Sequence, residues 1–263
     1  MGRREGLRVG IGMTTLIYCA AGNKRFAEIA IRHGYRYGAQ LPNTIYFDPY
    51  FTDQNWKKPV RDKYITALAK YRPALATVLD WEQGEQLNEV LSWADEASQY
   101  VTEAIIIIPK VVGGIRKLPR QINGRQVRLG YSASSTFSST PVGLDEFQGW
   151  PVHCLGGGPR IQMQMNRTHD LQSADGNYIQ NLARRWCQFY SPSVRAKNNG
   201  WPMLKEVGLG HRTIDAIYLA FELTCIAVPM AFNGISGRCI YEAQISWLTD
   251  QGLLPDLVQS SIW

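Results

Sequence analysis

The sequence predicts an α/β fold: a (β/α)8 TIM-like barrel with added C-terminal helices. Three observations carry that expectation. Eight short apolar runs fall before residue 176, and most are continuous rather than alternating, as expected of strands buried on both faces of a parallel sheet. Most are followed by an amphipathic segment or a long connection, which is the rhythm of βα units. Eight such units in 263 residues fit a closed barrel, with a doubly wound open sheet as the alternative.

The elements follow in order. "LRVGIGM" (7–13) reads as a first buried strand. "NKRFAEIAIRHG" reads as a helix stopped at Gly34, a residue suited to the left-handed position after a helix. "YRYGAQ" and "TIYFD" are two short strands, and "PVRDKYITALAKY" begins a helix at Pro59, whose fixed φ suits a first turn. "ALATVLD" is a buried strand. In "QLNEVLSWADEASQYV", Leu87, Val90, Leu91, Ala94, Ala97 and Val101 share one helical face. "AIIII", "QVRLGYS", "PVHCLGGG" and "DLQSAD" are the remaining strands, and "YIQNLARRWCQFY" is a helix. Two apolar helices complete the chain. No repeat or linker divides it, so 1–263 reads as one domain, with 196–263 a helical part packed on the barrel. The polar stretch 132–140 reads as a loop at the mouth of a site.

Bulk properties narrow the function classes. A hydrophobic content of 45% with 8 Trp supplies a core and excludes global disorder. A net charge of +6 suits a polyanionic partner. The 5 cysteines are odd in number and lack CxxC spacing, so neither a disulfide framework nor a metal site is expected. A reducing cytoplasm is the expected compartment. The basic, apolar N-terminus could pass for a signal peptide, but glycines interrupt it. The apolar stretch 216–232 is short for a membrane span and contains Glu222 and Pro229. It reads as a buried helix, and no membrane partner is expected.

The strand ends carry the polar residues. They run into Asp48; into Asp80, Trp81 and Glu82; into Pro109 and Lys110; into Tyr131 and Ser132; into Gly156, Gly157 and Gly158; and into Asp175, Gly176 and Asn177. In a barrel these ends form the catalytic face. Singly each reads as a turn or cap; together they read as a site. The triple glycine is not GxGxxG and lacks an acidic residue at dinucleotide spacing, so no cofactor is expected. It serves either as a tight turn or as a close approach for a ligand. His153 lies within a strand and reads first as a satisfied core residue, with catalysis as the alternative. His33, His169 and His211 are scattered, and HExxH is absent.

The succession "ATVLD", "IIIIPK", "VRLGYS", "PVHCLGGGP", "LQSADGN" resembles the strands of the tRNA-guanine transglycosylase-like superfamily. It is most similar to its deazapurine DNA-modification (DpdA-like) branch, over about residues 41–190. The resemblance implies a pentosyltransferase that exchanges guanine in nucleic acid for a 7-deazaguanine, on a TIM barrel with two catalytic aspartates. It implies Asp175 as nucleophile and Asp80 as a base contact. It also implies Gly130 as part of a strand end closing over the base. The acid/base falls in "FDPYFTDQNW", at Asp53 or Asp48, with Asp53 preferred. Lys110, Tyr131, Ser132, His153, Gly156, Gly157 and Asn177 complete the expected substrate contacts. The zinc site and the "DSGGFQ"-type motif of the tRNA enzymes are absent from this sequence, which shifts the expected substrate from tRNA to DNA. The partners are then nucleic acid and a free 7-deazaguanine-type base, in a bacterial or phage-infected cell.

The chemistry of the residues is compatible with that reading. Base exchange with retention needs one carboxylate to attack the anomeric carbon and a second group to move protons. A base within a duplex must first be flipped out. Trp56, Trp81 and Tyr131 are expected stacking surfaces, although core packing would account for some of them. Arg116, Lys117, Arg120, Arg125 and Arg128 form a basic stretch that reads as a phosphate-binding surface or a solvated face. Asn177 is expected to cap the helix that follows Asp175, freeing the aspartate for other work. Two rival readings remain: a barrel N-glycosidase or nucleoside hydrolase, and a catalytically inactive nucleic-acid-binding barrel.

Overall fold

Alternating strand residues face two different cores. In β5 (Ala104–Ile107), Ala104 and Ile106 belong to one apolar cluster, and Ile105 and Ile107 to another. The small cluster fills the barrel interior with Ile17, Phe51, Leu75 and Ile106. The large one lies between the strands and the surrounding helices. A strand buried on both faces has no polar face to show, hence the unbroken "AIIII".

The structure is a computed structural model and describes residues 13–20, 23–43, 45–55, 57–133, 140–193, 200–210 and 213–253. Eight parallel strands close the barrel: β1 (Thr15–Cys19), β2 (Arg36–Leu41), β3 (Phe51–Gln54), β4 (Leu75–Thr77), β5, β7 (Arg125–Ser132), β8 (Pro151–Leu155) and β9 (Asp170–Gly176). β1 pairs with both β2 and β9, and β5 pairs with β7. The two-residue β6 (Gln121–Ile122) is an antiparallel appendage of β7.

The outer layer is less regular than strict βα alternation. Helices α1 (Lys24–Arg32), α2 (Arg61–Tyr71), α3 (Leu87–Ser98), α4 (Pro159–Thr168) and α5 (Tyr178–Trp186) follow β1, β3, β4, β8 and β9. Among the described residues, the connections after β2, β5 and β7 contain only loops and short turns. Two helices complete the chain, α6 (Ile214–Phe232) and α7 (Gly237–Asp250). The Asn23, Thr213 and Ser236 side chains accept hydrogen bonds from the first-turn amides of α1, α6 and α7, replacing partners those amides lack within the helix.

Helix α6 packs against α1, α4, α5 and α7. Its 19 residues are enough, by length and composition, to cross a membrane. Its Glu222 is buried and bound by Arg32 Nη1 and His33 Nε2, each at 2.9 Å. A charge inside an apolar helix is tolerable here because both partners come from the end of α1.

One expected strand differs from the structure, and another falls almost wholly outside the described residues. The segment 7–13 lies outside the described residues apart from Met13, and the first described strand is Thr15–Cys19. "TIYFD" is no strand: Ile45 to Asp48 lie on the loop into β3, while Thr44 is outside the described residues. Tyr46 N–H donates to the Tyr37 hydroxyl, and the Phe47 ring stands edge-on to Tyr37. This loop takes the place of a helix over the outside of β2. The expectation missed α4 altogether.

Candidate active site

The interior of the barrel changes character toward the strand ends. The plug of Ile17, Phe51, Leu75 and Ile106 gives way to Cys19, Asp53, Thr77 and Asp175. Parity explains it: residues two apart on a strand share a face, so Phe51 and Asp53 both point inward, as do Leu75 and Thr77.

Asp53 lies near the end of β3, opposite Gln40 of β2. The Thr77 hydroxyl donates to its Oδ1 at 2.8 Å. Burial, reinforced by the charge of Asp175, pushes its pKa from 3.8 up to about 7, with the Thr77 hydrogen bond opposing. Asp175 is buried near the end of β9, opposite Ile17 of β1. Its Oδ1 accepts from Gly156 N–H at 3.2 Å and lies 3.3 Å from His153 Nε2. One carboxyl is thus poised to hold or release a proton near neutral pH, and the other is held as a hydrogen-bond acceptor. Cys19, on the strand-end side of the interior, feels both carboxylates. Burial, then Asp175 and Asp53, raise its thiol well above the ordinary range, against thiolate chemistry.

The second polar group lies beside the first. An isolated bridge joins Trp81 to Pro109, with Trp81 N–H donating to Ile108 and Lys110 N–H donating to Trp81. It resumes the β4–β5 pairing beyond Thr77 and Ile106 and brings Asp80 against Lys110. Lys110 Nζ lies 2.8 Å from Asp80 Oδ2 and 3.0 Å from Glu82 Oε1. Burial raises the pKa of Asp80 despite the lysine. Burial acts to lower that of Lys110, but Asp80 and Glu82 outweigh it and hold it high. Asp80 Oδ1 is buried and has no hydrogen-bond partner, an unmet acceptor beside the mouth.

The glycine-rich loop forms the third side. Gly156 and Gly157 have φ of 66° and 74°, which favours glycine. A Cβ on Gly157 would stand 2.8 Å from Ala133. Gln162 of α4 ties the loop to β9, its Nε2 donating to Gly156 O and Asp175 O, both at 2.9 Å. Tyr178 opens α5, is exposed, and lies over Gly158. Its ring meets Trp201 edge-on.

Asp175, Asp80, Lys110, Gly156 and Gly157 therefore share the strand-end face, and Asp53 joins them. The remaining expected residues fall differently. Asp48 is exposed on the loop that precedes β3 and does not line the interior. Gly130 sits in the interior, its missing side chain replaced by Ile106, Ile108 and Leu155. Tyr131 points outward, edge-on to Phe147. Ser132 ends β7, with its N–H bound by the Thr140 hydroxyl; 134–139 of the expected mouth loop are outside the described residues. Asn177 occupies the cap position of α5, but its side chain makes no capping hydrogen bond; it accepts from Asn181 at 3.3 Å. Trp81 is fully buried in the outer core and offers no stacking face. Trp56 and His211 lie outside the described residues.

The basic stretch does not form one surface. Arg116 and Lys117 are exposed on a short turn. Arg120 lies over Trp150 and donates to Gly149 O. Arg125 donates to Ser98 O and Thr102 O, near the strand-start end. Arg128 is buried within the barrel. Parity is the reason: Arg128 and Gly130 share the inward face of β7. Exposed basic residues on the helix starts and on the loop after β3 include Lys24, Lys57, Lys58 and Arg160. Sequence reasoning also missed Thr77, Ser173, Gln162 and Tyr178.

Among the described residues no group of three His, Cys, Asp or Glu side chains could hold a metal ion. A family model described as a family of unknown function, DUF6610, matches residues 29–208. No curated protein matches the chain. Among solved structures, a truncated form of 3-deoxy-D-arabino-heptulosonate 7-phosphate synthase from Thermotoga maritima is similar. Its identity is 8% and its TM-score 0.40, with 91% of this chain and 88% of that chain covered.

Proposed function

We propose that this chain, which belongs to the DUF6610 family, is a barrel glycosyl-transfer enzyme that exchanges a guanine in nucleic acid, DNA foremost, for a 7-deazaguanine-type base. The observation that carries the reading is the pair of interior carboxylates at the strand ends, with Asp53 pushed up to about 7 beside Asp175. Two carboxyl groups in unequal surroundings divide the roles of retaining glycosyl transfer.

In the first half, Asp175 attacks the anomeric carbon and the glycosidic bond breaks. The bonding pair leaves with the guanine, which takes a proton from protonated Asp53. The sugar is then held as an ester of Asp175. In the second half, ionised Asp53 removes a proton from the incoming base. That base attacks the anomeric carbon and the ester bond returns its electrons to Asp175. One base and one proton enter for each that leaves. Asp80 contacts the base, and Lys110 holds its Oδ2 in place.

The test is incubation of the protein with guanine-containing DNA or tRNA and labelled free bases. Incorporation of label supports the proposal, and the favoured polymer identifies the substrate. Base release without incorporation would make the protein an N-glycosidase. Binding with neither release nor incorporation would make it an inactive nucleic-acid-binding barrel.

A further inference from the structure

We infer that Arg128 and Ser173 are positioning residues that fix the tautomer of His153 and aim its Nε2–H at Asp175. The connecting hydrogen bonds run up the barrel interior. Arg128 Nη1 lies 3.3 Å from Ser173 Oγ, Ser173 Oγ lies 2.8 Å from His153 Nδ1, and His153 Nε2 lies 3.3 Å from Asp175 Oδ1. Ser173 and His153 have no solvent exposure and Arg128 has 9%, so water does not compete for these partners.

The direction of the chain follows from what each group can do. A guanidinium only donates, so Ser173 Oγ accepts from Arg128. The Asp175 carboxylate only accepts, so it calls for the ring proton at Nε2, and the serine then gives its one proton to the neighbouring Nδ1. Nδ1 therefore carries a lone pair, and the ring proton sits on Nε2, facing Asp175. The opposite tautomer would set an Nε2 lone pair against carboxylate lone pairs. An imidazolium would leave the serine proton without this acceptor. Phe51 stacks on the imidazole at 4.8 Å and holds its plane. Arg128 is held in turn by Gln126 Oε1 at 3.0 Å, with Glu103 at 3.8 Å.

The backbone builds the alignment. Along β8 and β9, Val152 pairs with Leu171, but His153 pairs with Ser173. One residue of β9 is skipped. Without that irregularity His153 would stand opposite Gln172. An extra residue in one strand re-aims the side chains beyond it, and here both Ser173 and Asp175 turn inward beside the histidine.

The tautomer is argued from the contacts to Ser173 and Asp175, whereas its use in catalysis rests on the proposed function. The test is a long-range 1H–15N correlation spectrum of protein labelled at its 4 histidines, with His153 assigned by its loss in His153→Gln. The wild type should show one neutral ring protonated at Nε2. Ser173→Ala should lose that signature, and Ser173→Thr, which keeps the hydroxyl, should retain it. Ser173→Thr also decides the matter if the alanine variant does not fold. An Nδ1–H tautomer or an imidazolium in the wild type at neutral pH would overturn the inference, as would an unchanged spectrum in folded Ser173→Ala. Base exchange assayed on the same proteins separates the two claims: the Nε2–H signature without exchange leaves the relay standing and removes the function.

Discussion

Replacing Asp53 with asparagine should stabilise the protein at neutral and alkaline pH. The unfolded chain ionises Asp53 near 3.8, and the folded protein does so near 7. For a raised acid the folded state holds its proton longer, so stability is fully present below about pH 4 and is lost as the pH rises toward 7. Above that the cost is constant. With about 1.4 kcal/mol for each pH unit between the two values, the ionised carboxylate costs about 4 kcal/mol. This is an upper figure, because the shift depends partly on Asp175, which must also be ionised for its repulsion to count. Asparagine bears no charge and its Oδ1 can still accept from Thr77. Urea unfolding at pH 4 and pH 8 measures the effect. The variant should match the wild type at pH 4 and exceed it by roughly 2–4 kcal/mol at pH 8, a rise in Tm of several degrees for a chain of this size. A difference independent of pH, or a variant less stable at pH 8 than at pH 4 by as much as the wild type, would refute the burial argument for Asp53.

Lys110→Met should destabilise the protein by about 3–5 kcal/mol at neutral pH, because it strands the buried Asp80 carboxylate; Asp80→Asn/Lys110→Met should recover most of the loss in denaturant melts, and no recovery would contradict the pairing. Gly130→Ala places a Cβ 2.7 Å from Ile108 and 2.8 Å from Leu155. It should cost about 1–3 kcal/mol, measured as a lower Tm with the site residues untouched. Nucleic-acid affinity should fall with rising salt, and Lys58→Ala/Arg160→Ala should weaken it and flatten that salt slope by about one for each phosphate no longer neutralised. Arg125→Ala, at the other end of the barrel, should leave the slope unchanged; equal effects would move the interface away from the mouth.

Most of the barrel was legible because its strands are buried on both sides. "ALATVLD", "AIIII", "QVRLGYS", "PVHCLGGG" and "DLQSAD" stand out as apolar runs, and each overlaps a strand. Strand β3 did not, since "FTDQ" turns Asp53 into a polar mouth and leaves no apolar run to see. "TIYFD" beside it has better strand composition and lies on a loop. Helix α4 was hidden by its polar sequence, "PRIQMQMNRT", which buries only Pro159, Gln162 and Met165. Asp175 was legible as the polar end of a buried strand. Asp53 was preferred to Asp48 for its neighbours in "DQNW", but that it faces the barrel interior depends on the register of β3. Arg128 illustrates the converse: in sequence it belongs to a basic run, but strand parity places it inside. The pairing of His153 with Ser173 depends on a skipped residue between β8 and β9, which no local pattern reveals.

The most direct test of the account is a search for the covalent intermediate. The protein is incubated with a guanine-containing DNA oligonucleotide without incoming base, denatured, digested and read by mass spectrometry. The expected result is an oligonucleotide lacking one guanine, esterified to the peptide that carries Asp175, and absent from Asp175→Asn. Removal of guanine with no adduct, or an adduct that persists in folded Asp175→Asn, would contradict the assignment of Asp175 as nucleophile.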